Sequence, residues 1–108
     1  MRLNDMVDKA HANAIDKGWW CEERTFGELV ALCHSELSEA LEEYRNGVGL
    51  TVVYHDGEKP EGIPIELADV LIRIFDMCGK YGIDLEEAVR IKMKYNSTRP
   101  IRHGGKVI

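Results

Sequence analysis

Two acidic pairs stand at helical spacing in this chain: Glu36/Glu39 in E-L-S-E and Glu66/Asp69 in E-L-A-D. Residues three apart share a helix face, so each pair offers its carboxylates side by side. If the two helices face each other, four carboxylates converge with no Lys or Arg between them and repel unless a cation joins them. Mg²⁺ and Mn²⁺ prefer all-oxygen donor sets, which makes Glu36, Glu39, Glu66 and Asp69 candidate metal ligands.

The spelling alone is weak, because six acidic i, i+3 pairs occur in the chain. The surroundings of Glu66 and Asp69 set them apart. From Ile65 to Cys78 the only polar residues are Glu66, Asp69, Arg73 and Asp76. At about 100° per residue these four fall in a stripe about 80° wide. Such a helix is buried on most sides, and its charged line must meet water, metal or opposite charge. Glu36, Glu39 and Glu43 flank the apolar stripe of their own helix, and Glu43 is a candidate for a further ion.

Four helices are expected to position these residues. The first runs from about Leu3 to Lys17 and stops at Gly18. After the aromatic connection Trp19-Trp20-Cys21, Thr25 and Glu28 form a capping box for a second helix. Its apolar stripe is Phe26, Leu29, Val30, Cys33, Leu37, Ala40, Leu41 and Tyr44, and Asn46-Gly47 ends it. Leu50–His55 reads as a strand, with Asp56-Gly57 as the turn and Glu58–Glu61 as a poor return arm. A third helix starts near Pro64 and ends by Gly79 and Gly82. The fourth is capped by Asp84, with Glu87 closing the box, and continues to about Tyr95. Residues from about 97 to 108 read as an irregular tail.

The fold expected is therefore all-α, a four-helix bundle-type chain with a short β-hairpin between helices 2 and 3. The 108 residues suffice for one domain, 1–108. The third helix has more apolar surface than one bundle easily covers, and a homodimer is the simplest remedy. Cys33 and Cys78 fall in apolar stripes and read as core thiols, and no paired zinc spacing is present among the three cysteines. Without a membrane span or signal peptide, a cytoplasmic protein is expected. The net charge of −5 argues against a nucleic-acid polymer as partner.

Basic residues gather at the end: Arg90, Lys92, Lys94, Arg99, Arg102 and Lys106, with no Asp or Glu among them. Lys92, Asn96 and Arg99, at i, i+4 and i+7, would share a face suited to phosphate oxygens. Lys106, after Gly104-Gly105, would close over the ligand. Trp19 and Trp20 are candidates for stacking on a base, with His11 nearby and Tyr54 and His55 weaker. One of the two tryptophans is expected to seal the end of the bundle instead.

The pattern E-x-x-E…E-x-x-D, with 26 residues between its halves, resembles the all-α nucleoside triphosphate pyrophosphohydrolases of the MazG-like superfamily. The resemblance extends to the tail K-x-x-x-N-x-x-R-P…H-G-G-K. It implies Mg²⁺ on Glu36, Glu39, Glu66 and Asp69, and cleavage of a nucleoside triphosphate between its α and β phosphates. It also implies a dimer or dimer of dimers. Glu39 is the first choice to orient or deprotonate the attacking water. A relative acting on phosphoribosyl-ATP would share the carboxylates. The competing reading is a non-enzymatic helical dimer or adaptor whose acidic faces bind a basic protein. A di-iron bundle is disfavoured because the chain has no E-x-x-H.

Overall fold

Gly18 closes the first helix as expected, in a left-handed conformation that other residues rarely adopt. The structure, a computed structural model, describes residues 2–100. It comprises α1 (Leu3–Asp16), a single 3₁₀ turn (Trp19–Cys21), α2 (Phe26–Arg45), β1 (Tyr54–Asp56), β2 (Lys59–Glu61), α3 (Ile63–Tyr81) and α4 (Leu85–Thr98). The chain is thus mostly helical, with a small antiparallel hairpin between α2 and α3. None of its helices, among the described residues, is long and apolar enough to cross a membrane.

The capping box of α2 forms in both directions: Glu28 N–H donates to Thr25 Oγ1, and Thr25 N–H donates to Glu28 Oε2. That of α4 forms only by half. Asp84 accepts from Glu87 N–H at 3.0 Å, but the Glu87 carboxylate turns to Arg90, an i, i+3 partner within reach. Asp84 also accepts from the Asn4 side chain, and Asn4 in turn accepts from Glu86 N–H, which moors the start of α4 to the start of α1. The helix runs on to Thr98, so Ser97 and Thr98 belong to α4 and not to an irregular tail.

The hairpin differs from expectation by one step. Asp56 pairs with Lys59, so the two-residue turn is Gly57-Glu58, with Gly57 at φ +64°. A two-residue turn needs positive φ at its first position, and Gly57 meets that without cost where Asp56 would not. Leu50–Val53 do not pair. Pro60, which has no N–H, stands opposite His55, the pair next to the one that closes the turn. The alternation of antiparallel pairing makes this a pair that exchanges no ladder hydrogen bond.

Helix α3 is the centre of the chain, packed against both α1 and α2. The cluster Val7, Phe75 and Cys78 is its buried junction with α1, extended by Leu3, Ala10, Ile74 and Leu85. Gly79 lies inside α3 instead of ending it. A Cβ there would stand 2.5 Å from the Cβ of His11, so the glycine lets α1 and α3 approach closely. The helices do not close into a four-helix bundle within one chain, because α4 leans mainly on α1. Of the apolar stripe expected for α2, Phe26, Leu37, Leu41 and Tyr44 stay exposed, Leu41 by 55%.

The start of α3 is fixed by one close approach. Gly62 has φ +118°, and a Cβ at that position would sit 2.2 Å from the Val52 carbonyl oxygen. Backbone cannot yield as a side-chain tip can. Gly62→Ala is therefore expected to cost about 3 kcal/mol or more through combined strain and overlap. Denaturant titration checks this; an unchanged midpoint would show that the segment before the hairpin does not rest on α3.

Candidate metal centre

Where α2 faces the first turns of α3, Glu36, Glu66 and Asp69 bring one carboxylate oxygen each within 4.8 Å of the others. The i, i+3 spacing on α3 supplies two of them and the adjacent rim of α2 the third. A second triplet, Glu43, Glu61 and Glu66, forms within the same limit and shares Glu66. Glu61 comes from the end of β2, so the hairpin contributes to the acidic region. Poor strand character hid this residue in the sequence; its place as half of a Glu58/Glu61 pair was the only signal.

Burial is the first cause that raises the pKa of Glu66, and repulsion from Asp69, Glu39, Glu36 and Glu61 adds to it. Asp69 is raised by burial and by Glu36, while Arg73 and Lys59 pull it back. Glu39 is exposed on α2 and lies outside both triplets, although its charge reaches Glu66. Tyr54 donates to both oxygens of Glu43, at 2.8 and 3.1 Å, and this bond pushes its pKa up to about 12.

The carboxylates are not free of cations. Arg73 reaches across from α3 to α2, placing Nε 2.9 Å and Nη2 2.8 Å from Oε1 of Glu36. Spacing along one helix does not reveal this contact, because it depends on the reach of a long side chain to another helix. Lys59 likewise pairs with Glu61 at 3.1 Å. The set still suits a hard divalent cation, since Glu36 keeps a second oxygen and, among the described residues, Glu66 and Asp69 form no ion pair.

A cleft of about 360 Å³ opens beside Glu36 and Asp69, and Asn13, Lys17, Trp19, Arg73 and Asp76 also line it. Trp19 therefore sits at the site, with the guanidinium groups of Arg24 and Arg73 over its ring at 3.8 and 4.7 Å. Trp20 and His11 turn elsewhere. Trp20 Nε1 donates to Asp76 Oδ1 at 2.9 Å, and His11 Nδ1 lies 2.8 Å from the same oxygen. Asp76 is only 7% exposed, so these two rings satisfy a buried carboxylate where α1, the 3₁₀ turn and α3 meet.

The cations expected for phosphate are placed differently. Lys92 and Arg99 lie over the ring of Tyr95, on the same helix or at its end, and Asn96 is exposed. Lys106 lies outside the described residues. Lys17 and Arg73 are instead the cations that line the cleft. Cys78 is buried, Cys33 is partly buried and Cys21 is exposed, all as free thiols.

Because the fold raises the pKa values of Glu66 and Asp69, it favours their neutral forms. Their contribution to stability is full at acidic pH and is lost as pH rises through the carboxylate range toward the raised values. In chelator at neutral pH, Glu66→Gln and Asp69→Asn should each raise the melting temperature above that of the parent, and the gain should shrink at acidic pH. A lowered melting temperature at neutral pH would show that these carboxylates stabilise the metal-free protein.

In comparisons with family models, with curated proteins and with solved structures, the chain finds no match, so its reading rests on its own residues.

Proposed function

We propose that the chain is a divalent-cation-dependent nucleotide pyrophosphohydrolase, acting in the cytoplasm on a nucleoside triphosphate to release monophosphate and pyrophosphate. The observation that carries this reading is the convergence of Glu36, Glu66 and Asp69 at the edge of a cleft that holds an aromatic ring and two cations. A metal site alone would suit many functions. Its junction with a cleft lined by an aromatic ring and two cations is what favours a nucleotide.

Glu36, Glu66 and Asp69 would hold the cation. The chemistry that Mg²⁺ or Mn²⁺ would supply there is charge neutralisation of phosphate oxygens and activation of water. Glu39, exposed on α2 with its charge reaching Glu66, would accept a proton from water approaching from solvent. Trp19 forms the cleft wall toward α1, where a base would lie, and Lys17 and Arg73 meet the negative charge. Asp76 holds His11 and Trp20 behind that wall, which makes them support for the cleft.

The functional unit is proposed to be a homodimer or a dimer of dimers. Leu37 and Leu41 on α2 and Leu67 and Leu71 on α3 remain exposed, Leu71 by 51%. Leu37 lines a largely apolar groove on this face together with Val30, Cys33, His34, Val70, Ile74 and Met77. Two copies of this face would bury it reciprocally.

Two measurements test the reading. Mg²⁺-dependent pyrophosphate release from a panel of canonical and modified nucleotides should be detectable, and Glu66→Ala or Asp69→Ala should lower it by about 100-fold or more. No release from any nucleotide, with no metal stabilisation of the fold, would favour the adaptor instead. Sedimentation should show a dimer or larger, shifted toward monomer by Leu37→Glu with Leu71→Glu; an unshifted dimer would place the interface elsewhere.

A further inference from the structure

Arg73 neutralises the carboxylate from which a metal ion would draw one of its oxygens. Its Nε and Nη2 both rest on Oε1 of Glu36, and Glu36 supplies one of the three closely grouped donor atoms of the acidic site. A carboxylate whose charge a guanidinium already neutralises is a weakened ligand for a cation, because the two positive charges repel across it. Occupation of the site by a divalent cation and retention of this ion pair therefore oppose one another.

We propose that Arg73 is an exchangeable counterion, which neutralises Glu36 in the metal-free protein and passes to a phosphate of the ligand when a divalent cation engages Glu36. This rests on the metal-centre reading above. Three features of the structure support the exchange. The side chain is 29% exposed and lines the cleft, so a released guanidinium faces the space where a ligand lies. Its plane already leans over Trp19, at 4.7 Å, a platform that does not depend on Glu36. And the cations expected from α4 are spent around Tyr95, leaving Arg73 and Lys17 as the ones that line the cleft.

The exchange also has an energetic logic. A partly buried guanidinium that loses its carboxylate is costly until another anion replaces it. Phosphate oxygens match its fork, with two parallel N–H donors. Metal binding alone leaves Arg73 without a partner, and phosphate binding alone must take it from Glu36. Bound together, each removes the cost of the other. The site then couples cation and phosphate, and the coupling is reciprocal.

Mn²⁺ and inorganic pyrophosphate serve as probes, with protein-bound Mn²⁺ measured by electron paramagnetic resonance and the Mn²⁺–pyrophosphate complex in solution accounted for. In the parent protein pyrophosphate should tighten Mn²⁺ binding by about fivefold or more. Arg73→Gln should bind Mn²⁺ alone more tightly than the parent, because the competitor is gone, and should lose the pyrophosphate effect. Arg73→Lys, which keeps the charge without the fork, should retain a smaller effect, and it carries the comparison if Arg73→Gln fails to fold by circular dichroism. Coupling as large in these variants as in the parent would overturn the role of Arg73, as would weaker binding of Mn²⁺ alone by Arg73→Gln. A parent protein that binds no Mn²⁺ would overturn the metal centre itself, and the exchange with it.

Discussion

Four ionisable side chains must find partners along one narrow line of α3, and the packing around that helix follows from how each is satisfied. Asp76, nearest the C-terminus, is buried and takes hydrogen bonds from His11 of α1 and Trp20 of the 3₁₀ turn. That requires α1 to lie close, which Gly79 permits by presenting no Cβ to His11. Arg73, in the middle of the line, crosses to Glu36 on α2. Glu66 and Asp69, at the N-terminal end, are left with raised pKa values and acidic neighbours. One end of the line ties elements together and the other gathers carboxylates beside one another. The same sequence feature thus supplies structural anchoring and unspent charge, separated by about two turns of helix.

The hairpin is the part of the chain that shapes the outer edge of this acidic region. Gly62 joins it to α3 at a backbone approach too tight for any side chain, so the position of β2 is coupled to the first turn of α3. Glu61 is thereby brought to Glu66, and Tyr54 on the paired strand reaches Glu43 on α2. A tyrosine whose pKa is pushed to about 12 remains a hydrogen-bond donor throughout the physiological range. It therefore orients Glu43 without adding a charge. Two triplets joined through Glu66 form a continuous acidic surface from Glu36 to the hairpin, wider than the four-residue pattern alone describes.

Much of the local structure was legible because it depends on neighbours in sequence. The cap of α2, the left-handed stop at Gly18, the proline in the first turn of α3 and the polar line itself all follow from residues a few positions apart. What escaped was set across elements. The partner of Arg73 depends on side-chain reach between helices. The burial of Asp76 and the recruitment of His11 and Trp20 to it depend on α1 closing on α3. Glu61 enters through strand pairing, whose register moved because Gly57 and not Asp56 takes the first turn position. Spacing showed Lys92, Asn96 and Arg99 on one face, but the direction in which α4 leaves the body decides what that face meets.

Surface that one chain leaves uncovered bears directly on the site. Only nine of the described residues are buried, namely Gly62, Asp76 and seven with apolar side chains, whereas large apolar side chains are exposed on all four helices. Those on α2 and α3 matter most, since these helices carry the acidic triplet along another edge. The separation between Glu36 and Glu66 is the separation between the two helices at that level. Carboxylate repulsion across the two helices pushes them apart, and Arg73 opposes this at the one point where it bridges to Glu36. Covering Leu37, Leu41, Leu67 and Leu71 would clamp the same two helices along their length by apolar burial, which pH and salt change little. If two copies associate through this face, as proposed, their association and the geometry of the carboxylates become one problem: the apolar edge would supply the restraint against which the charged edge is held.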